Sequence, residues 1–442
     1  MHHEPLKTIF SRDRLIIFGR YPVPGNTKTR LIPVLGPVGA ANLQRHLTEK
    51  ALLAARAFAA RRKTTIECCF EGGTPRKIRR WLGPIPRVTF QRAGDLGSRM
   101  RTAIFDAINE GCRRVVLVGT DLPDLSAEIL AEAFDALLQH DVVLGPSMDG
   151  GYWLIGMKRP VDLFQNIDWG SPQVFAQTQA KARHVGGAVR VLKCLSDVDT
   201  AEDLKNWKGA ENFPEIFLTV VIPAVNEEDH IQQSVLSAIG REVEVIVVDG
   251  GSTDDTVFKA ESAGAFVTEN LLGRAEQQNC GAALARGENL LFLHADTLLP
   301  KSYLAEAFEI LMAKNTVLGA FRFKTDFHHP FMRLVVWMTY LRSKYFQLPY
   351  GDQSLFMKKA VFEKVGGFAS VPIGEDLFLV RHLIKRENAH VMMAEGSAIT
   401  SGRRWKTLGP FKTTCINQLM LLGMALGISL KTLSRLYRRS AT

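Results

Sequence analysis

VEVIVVDGGSTDDT, Val243 to Thr256, is the stretch whose reading decides the fold. A β-prone run stops at Asp249, two glycines follow, and Ser252 or Thr253 can then cap a helix with Asp254 and Asp255 in its first turn. A buried strand that ends on a carboxylate and a glycine turn is how an α/β enzyme exposes acids at the carboxyl edge of a parallel sheet, where ligands bind. Upstream, LTVVIPAVNEE (Leu218 to Glu228) repeats the pattern of an apolar run closed by polar residues. Downstream, Gly264 can end the helix, a second helix fits Arg274 to Ala285, and LLFL (Leu290 to Leu293) is a strand running into His294-Ala295-Asp296.

The first half is built alike. LIIF (Leu15 to Phe18), VVLV (Val115 to Val118), VVLG (Val142 to Gly145) and YWLIG read as short strands alternating with helical patterns. Ser126 can cap one helix, with Ile129, Ala133, Phe134 and Leu137 on one face. Between the halves lies NWKGAENFPEI (Asn206 to Ile216), polar and broken by Gly209 and Pro214. We therefore expect residues 1–207 and 217–442 to be two α/β domains with mostly parallel sheets, joined by a linker at 208–216. A length of 442 residues agrees with two cores rather than one.

Composition sets further bounds. The chain is 46% hydrophobic and 23% charged, with net charge +10. That excess suits anionic ligands such as nucleotides, but no Lys/Arg block is long enough for a nucleic-acid arm. Six cysteines without a CxxC pair suggest reduced cytoplasmic thiols rather than a disulfide framework or a zinc site. MHHEPLKTIFSRDR at the start holds no apolar signal core. No run reaches the roughly 18 apolar residues of a spanning helix.

Three acidic positions carry the chemistry of the second half. Asp249 can accept hydrogen bonds from a base or ribose, although a strand-end or cap role explains it as well. Asp296 can hold Mg²⁺ or Mn²⁺ against a diphosphate, or simply sit in a surface loop. Glu375-Asp376 can remove a proton from a hydroxyl at a cleft, or complement a helix dipole. Arg403-Arg404-Trp405 offers guanidinium forks for phosphate and a ring for stacking. It also reads as a basic surface turn.

Taken in order, LTVVIPAVNEE, VEVIVVDGGSTDDT, GRAEQQNCGAALARGENLLFLHADTLLP, GAFRF, YGDQSLFMKKAVFEKVGGF, GEDLFLVRHL and SGRRW make Leu218 to about Arg438 resemble glycosyltransferase family 2 domains of the GT-A fold. Within that family they resemble the arsenosugar-biosynthesis or selenodomain-associated group. The resemblance implies that Pro223, Ala224 and Glu227 line a nucleotide pocket and that Asp249 contacts the base or ribose. It makes Asp296 the metal ligand and Asp376, beside Glu375, the catalytic base. Arg403, Arg404 and Trp405 would hold the diphosphate or acceptor. His294 stands where the family's metal motif has its first acid; a neutral imidazole can still ligate a metal. The implied reaction is sugar transfer from a nucleotide sugar to a small-molecule or lipid-linked acceptor, with inversion and a divalent cation.

In the first half, PVPGNTKTRL can cradle phosphates on exposed N–H groups with Lys28 and Arg30. It lacks Walker A spacing. GTDLPDL ends a strand at Asp121, with Asp124 placed to share a cation, or the two acids belong to a capped turn ahead of the Ser126 helix. Gly150-Gly151 of MDGGYWLIG make a flexible turn beside aromatics, suited to binding the sugar or base of a nucleotide sugar, or simply a turn into a strand. In DVDTAEDL, Asp199 could ligate a metal, or Thr200 and Asp203 could form a capping box. With AGDLGSRM, these strings resemble the uncharacterised glycosyltransferase A (DUF2064-like) family, whose layout is similar to guanylyltransferase-type nucleotidyltransferases. By that resemblance Lys28 and Arg30 bind phosphates and Asp121 binds metal. Two other readings stay open: a sugar-phosphate nucleotidyltransferase, and a nucleotide-sugar-binding protein without turnover. The segment Phe331 to Phe346 and the basic tail can lie on an anionic membrane face, or pack on a core or a second copy.

Overall fold

The apolar runs become strands of two separate sheets. The computed structural model describes residues 12–185, 187–210, 216–387 and 390–439, and the chain divides into two compact units, Met1–Phe213 and Pro214–Thr442. The expected linker at 208–216 lies in part outside the described residues, which exclude 211–215. Its start is not free chain: Trp207 and Ala210 pack on a small core of the first unit with Leu31, Leu43 and Leu204.

The first unit has seven strands. They are β1 (Asp13–Arg20), β2 (Thr65–Glu71), β3 (Arg87–Phe90), β4 (Arg114–Gly119), β5 (Val142–Pro146), β6 (Tyr152–Met157) and β7 (Val189–Val191). Their order is β3-β2-β1-β4-β6-β5-β7. The first four are parallel, β6 is antiparallel to both neighbours, and β5 runs parallel to β7. Parallel strands covered on both faces read as near-continuous apolar runs; β1 is buried from Asp13 to Phe18, and its two charged residues are paired, Asp13 with Arg114 and Arg14 with Glu67 and Glu110. The crevice beyond β1 and β4, where the strand order reverses, is where such sheets bind ligands.

The second unit follows the same plan. Its strands are β8 (Leu218–Ala224), β9 (Val243–Asp249), β10 (Phe266–Glu269), β11 (Asn289–Phe292), β12 (Thr297–Leu298), β13 (Thr316–Thr325), β14 (Phe356–Lys358) and β15 (His390–Thr400). The order β10-β9-β8-β11-β14-β13-β15-β12 matches the first sheet, with the two-residue β12 added at the edge. β10, β9, β8 and β11 are parallel; β14 is antiparallel to β11 and β13. Every residue of β8 is buried. Phe292 at the end of β11 packs on Phe362 and Phe368 at ring distances of 5.1 and 4.7 Å, which anchors the strand that feeds His294 and Asp296.

Local signals mostly take the expected form. The Ser126 hydroxyl accepts from Ile129 N, and Leu130, Ala133, Phe134 and Leu137 face the core. Leu130 rather than Ile129 is the fully buried residue, because the helix begins at Ala127 and turns that face inward. Thr200 and Asp203 form the capping box. The helix after Asp249 differs. It starts at Thr256, with no side-chain cap: Ser252 Oγ is already bound to Asp249, and Thr253 Oγ1 is turned toward Asn226 Oδ1 at 3.5 Å. All six cysteines are free thiols. No helix among the described residues is long and apolar enough to cross a membrane.

Candidate active site

In the second unit a cavity of about 370 Å³ opens at the carboxyl ends of β8, β9 and β11. Pro223, Ala224, Glu227, His294, Asp296 and Arg403 lie on its wall, with Gly250, Arg274 and Gln277. Gly250 is there because nothing larger fits: a Cβ would stand 2.3 Å from Gln277 Nε2 and 2.4 Å from Val225. Asp249 itself is buried behind it. Its carboxylate accepts from Gly251 N and Ser252 N, each at 2.9 Å, and from Ser252 Oγ. It shapes the turn, and Gly250 rather than Asp249 reaches the cavity wall.

Strand pairing brings Arg403 to this wall. β15 pairs antiparallel with β12, with Thr400 opposite Thr297, and Ser401 N donates to Asp296 O at 3.0 Å. The chain then enters a helix, Arg403–Leu408. Arg403 Nη1 donates to Glu227 Oε2 at 2.8 Å, Nη2 binds the other Glu227 oxygen, and Nη2 lies 3.4 Å from Asp296 Oδ2. These acids hold the guanidinium pKa up. Arg404 and Trp405 do not reach this wall. Successive helix residues turn by about 100°, so Arg404 stacks on Tyr437 at 3.8 Å and Trp405 packs near Phe323.

Asp376 and Glu375 open the helix Glu375–Glu387. Asp376 Oδ2 accepts from Gly351 N at 2.6 Å and Oδ1 from Leu377 N at 2.7 Å, so two backbone donors fix the carboxylate. Gly351 also touches His294: a Cβ there would stand 2.9 Å from His294 Nε2 and 3.3 Å from Asp376 Oδ2. One glycine therefore joins the cavity wall to Asp376. Glu375 is buried, and Arg274 approaches it at 3.9 Å. Burial, then the charge of Asp376, push the Glu375 pKa up.

Asp352, within YGDQS, is an acid close to Asp376 and Asp296 that local sequence signals miss. Its Oδ1 is buried with no hydrogen-bond partner. Burial raises its pKa to about 6 against the pull of Arg342, and Asp376 and Asp296 push it in the same direction. Asp296 is also raised, by burial foremost and then by Glu227, against the pull of Arg403. His294 is held neutral, its pKa lowered to about 3 by burial and by Arg274. It keeps some accessible surface only because it lines a recess.

These residues fit a divalent cation. An orphaned buried carboxylate oxygen beside two further acids is a surplus of negative charge that a cation offsets, and oxygen ligands suit Mg²⁺ or Mn²⁺. No group of three or more His, Cys, Asp or Glu converges in a metal geometry among the described residues. A cation here would rely on one or two carboxylates, with the remaining ligands from a diphosphate and water.

The first unit has a larger cavity, about 620 Å³, beyond β1 and β4. Lys28, Arg30, Asp121 and Gly151 line it, with Asp149, Asp197 and Asp199. Lys28 Nζ is engaged by Val198 O at 2.6 Å and Asp121 Oδ1 at 2.8 Å. Arg30 binds Asp199 at 3.1 Å and is otherwise exposed. Gly150 lies outside the lining. Its φ is +87°, and Pro172 O would be 2.0 Å from a Cβ, so it is a packing glycine. Asp124 is exposed, away from Asp121 on the cavity wall. Burial, then Asp149, raise the Asp197 pKa to about 6. AGDLGSRM also finds its reason. Asp95 caps the helix Leu96–Asn109, and Gly97 admits the Trp169 ring, which a Cβ would meet at 2.3 Å.

Both units are thus α/β domains with mixed, mostly parallel sheets of one strand order, opening acidic cavities where that order reverses. Residues 219–366 match glycosyl transferase family 2, and residues 54–171 match a family described as uncharacterized protein conserved in bacteria (DUF2064). The chain is a fusion of a DUF2064 domain and a glycosyl transferase family 2 domain. Glucosyl-3-phosphoglycerate synthase of Mycolicibacterium paratuberculosis (strain ATCC BAA-968 / K-10) is 38% identical over 97 residues, which are 19% of this chain and 29% of that protein. The chain thus spans under a third of the length of this curated relative. A crystal structure from Desulfovibrio desulfuricans G20, provisionally named a nucleotide-diphospho-sugar transferase, is 36% identical. The match covers 46% of this chain and 89% of that one, with a TM-score of 0.42. A mannosyltransferase from Pyrobaculum calidifontis, solved with GDP-mannose and Mn²⁺, is 22% identical over 41% of this chain and 56% of that one, with a TM-score of 0.35.

Proposed function

We propose that the C-terminal half transfers a sugar, with inversion, from a nucleotide-sugar donor to an acceptor hydroxyl. The observation that carries this is the convergence of Glu227, His294, Asp296 and Arg403 on one cavity, with Asp376 joined to it through Gly351. The nucleotide lies against Pro223, Ala224 and Gly250, where a backbone without bulky side chains allows close approach. Asp376 takes the proton of the acceptor hydroxyl as that oxygen bonds to the anomeric carbon. The anomeric carbon–oxygen bond to phosphate breaks, and its electron pair leaves with the nucleoside diphosphate. Arg403 supplies positive charge where that diphosphate departs. A bound Mg²⁺ or Mn²⁺ would neutralise the same charge, held by Asp296 with His294 and Asp352 nearby. Asp249 acts on the nucleotide through the Gly250-Gly251 turn that it holds.

We read residues 1–207 as a second transferase domain whose cavity takes a nucleotide, with Lys28 and Arg30 toward the phosphates and Asp121 toward a cation. The mixed lining of cations and four aspartates favours nucleotidyl transfer as the alternative for this half. Free thiols throughout support a cytoplasmic setting. The experiment is a product assay on the full chain. Nucleoside diphosphate released from a sugar nucleotide supports glycosyl transfer. Pyrophosphate released from a nucleoside triphosphate with a sugar phosphate, and no nucleoside diphosphate, would replace it with the second reading.

A further inference from the structure

Two helices of the second unit leave a row of apolar residues uncovered. Pro330–Tyr345 buries only Met332 and Ser343 and exposes Leu334, Trp337, Met338 and Tyr345, with Phe346 next in the chain. Pro410–Ala425 exposes Phe411, Cys415, Leu419 and Leu422, and Leu426 follows. Positions 411, 415, 419, 422 and 426 are spaced by three and four, so they form one stripe along the helix. The two helices pack on each other, with the Phe331 and Phe411 rings 6.1 Å apart. The helix Leu430–Arg439 packs on the second of them and exposes Leu436 beside Lys431 and Arg435. An apolar hollow of about 970 Å³, lined by Phe327, Val336 and Trp337 with Arg322, Lys324 and Arg333, adjoins the first helix.

Charge decides what covers this face. No Asp or Glu occurs between Asp326 and Asp352, and none follows Glu395, whereas eight Lys or Arg lie from Arg403 to the end of the chain. A second copy docked about a two-fold axis would set cationic surface against cationic surface. Neither helix is long and apolar enough to span a bilayer. Exposed Trp, Tyr, Phe and Leu on helices bordered by Lys and Arg suit the interface of an anionic bilayer, with the rings at headgroup depth and the cations on lipid phosphates.

We infer that the face formed by residues 330–346 and 410–436 docks on an anionic membrane surface, which would place the second unit beside membrane-borne acceptors.

Vesicle flotation of the full chain tests this. Phosphatidylcholine vesicles with about a third phosphatidylglycerol should carry the protein at least about tenfold better than phosphatidylcholine alone, and high salt should weaken the binding. The variant Trp337→Ser/Leu419→Ser/Leu422→Ser changes exposed side chains only. It should keep its circular dichroism spectrum and melting temperature and lose flotation by about tenfold or more. Absence of the wild-type chain from anionic vesicles would overturn the inference. So would a dimer in sedimentation that the same variant dissociates, since a second copy would then cover the face.

Discussion

Asp376 and Asp352 lie on either side of one question, which acid takes the proton and which tunes the site. Asp376 is held by two backbone donors. Asp376→Asn keeps the shape and part of that hydrogen bonding but removes the carboxylate proposed as the base. Release of nucleoside diphosphate should fall by about 10²–10⁴, while donor affinity measured by calorimetry stays within about twofold. Turnover near the wild-type rate would take Asp376 out of the role. Asp352 behaves differently because burial lifts its pKa from 3.8 to about 6. Between those values the folded chain holds a proton that the unfolded chain releases. Its contribution to stability is therefore full below about pH 4 and lost as pH rises through about 6. At pH 7 the buried charge is a cost, and Asp352→Asn should stabilise the protein by about 1–3 kcal/mol in denaturant titrations, with the gain vanishing near pH 4. The same variant should lower turnover. A loss of stability at pH 7 would contradict the account of this carboxylate.

At the scale of elements, the site depends on a turn and a strand pair. Gly351 has an ordinary φ, so its role is close approach rather than conformational freedom. Gly351→Ala would press on His294 Nε2 and Asp376 Oδ2. We expect kcat to fall by about tenfold or more while the melting temperature and donor affinity change little; unchanged kcat would show that the two side chains are not held through this residue. The strand pair shows where legibility in the sequence stops. Asp249, Asp296 and the Glu375-Asp376 pair stand out because each ends an apolar run or opens a helix, which are local signals. The pairing of β12 with β15 is not local. It joins Thr297 to Thr400 and so brings Arg403 to Glu227, 176 positions away. Nothing near either residue announces that meeting. Arg404 and Trp405 read as equal partners of Arg403 in the string, and only the rotation of a helix separates them. Asp352 is hidden for a related reason: YGDQS is an ordinary turn until burial makes its carboxylate unusual.

For the whole molecule, the two sheets share one strand order, although the halves show no obvious sequence repeat. Order is set by which apolar runs pair, and many apolar sequences satisfy it, so common topology leaves little trace in residue identity. Each unit carries its own acidic cavity. Lys28→Ala should therefore reduce nucleotide binding by the first cavity and leave release of nucleoside diphosphate by the second unchanged. A parallel fall in that release would show that the two chemistries depend on each other.

If Asp296, Arg403 and their neighbours seat a diphosphate-bearing donor, removing one of these charges must weaken that donor's binding. Equilibrium binding of nucleoside diphosphates and nucleotide sugars to the full chain with Mn²⁺, compared between wild type and Asp296→Asn, tests it most directly. Saturable binding to the wild type should weaken by about tenfold or more in the variant, as expected when one strong charged interaction is removed. Identical affinity in the two proteins, measured with the first cavity disabled by Lys28→Ala, would contradict it.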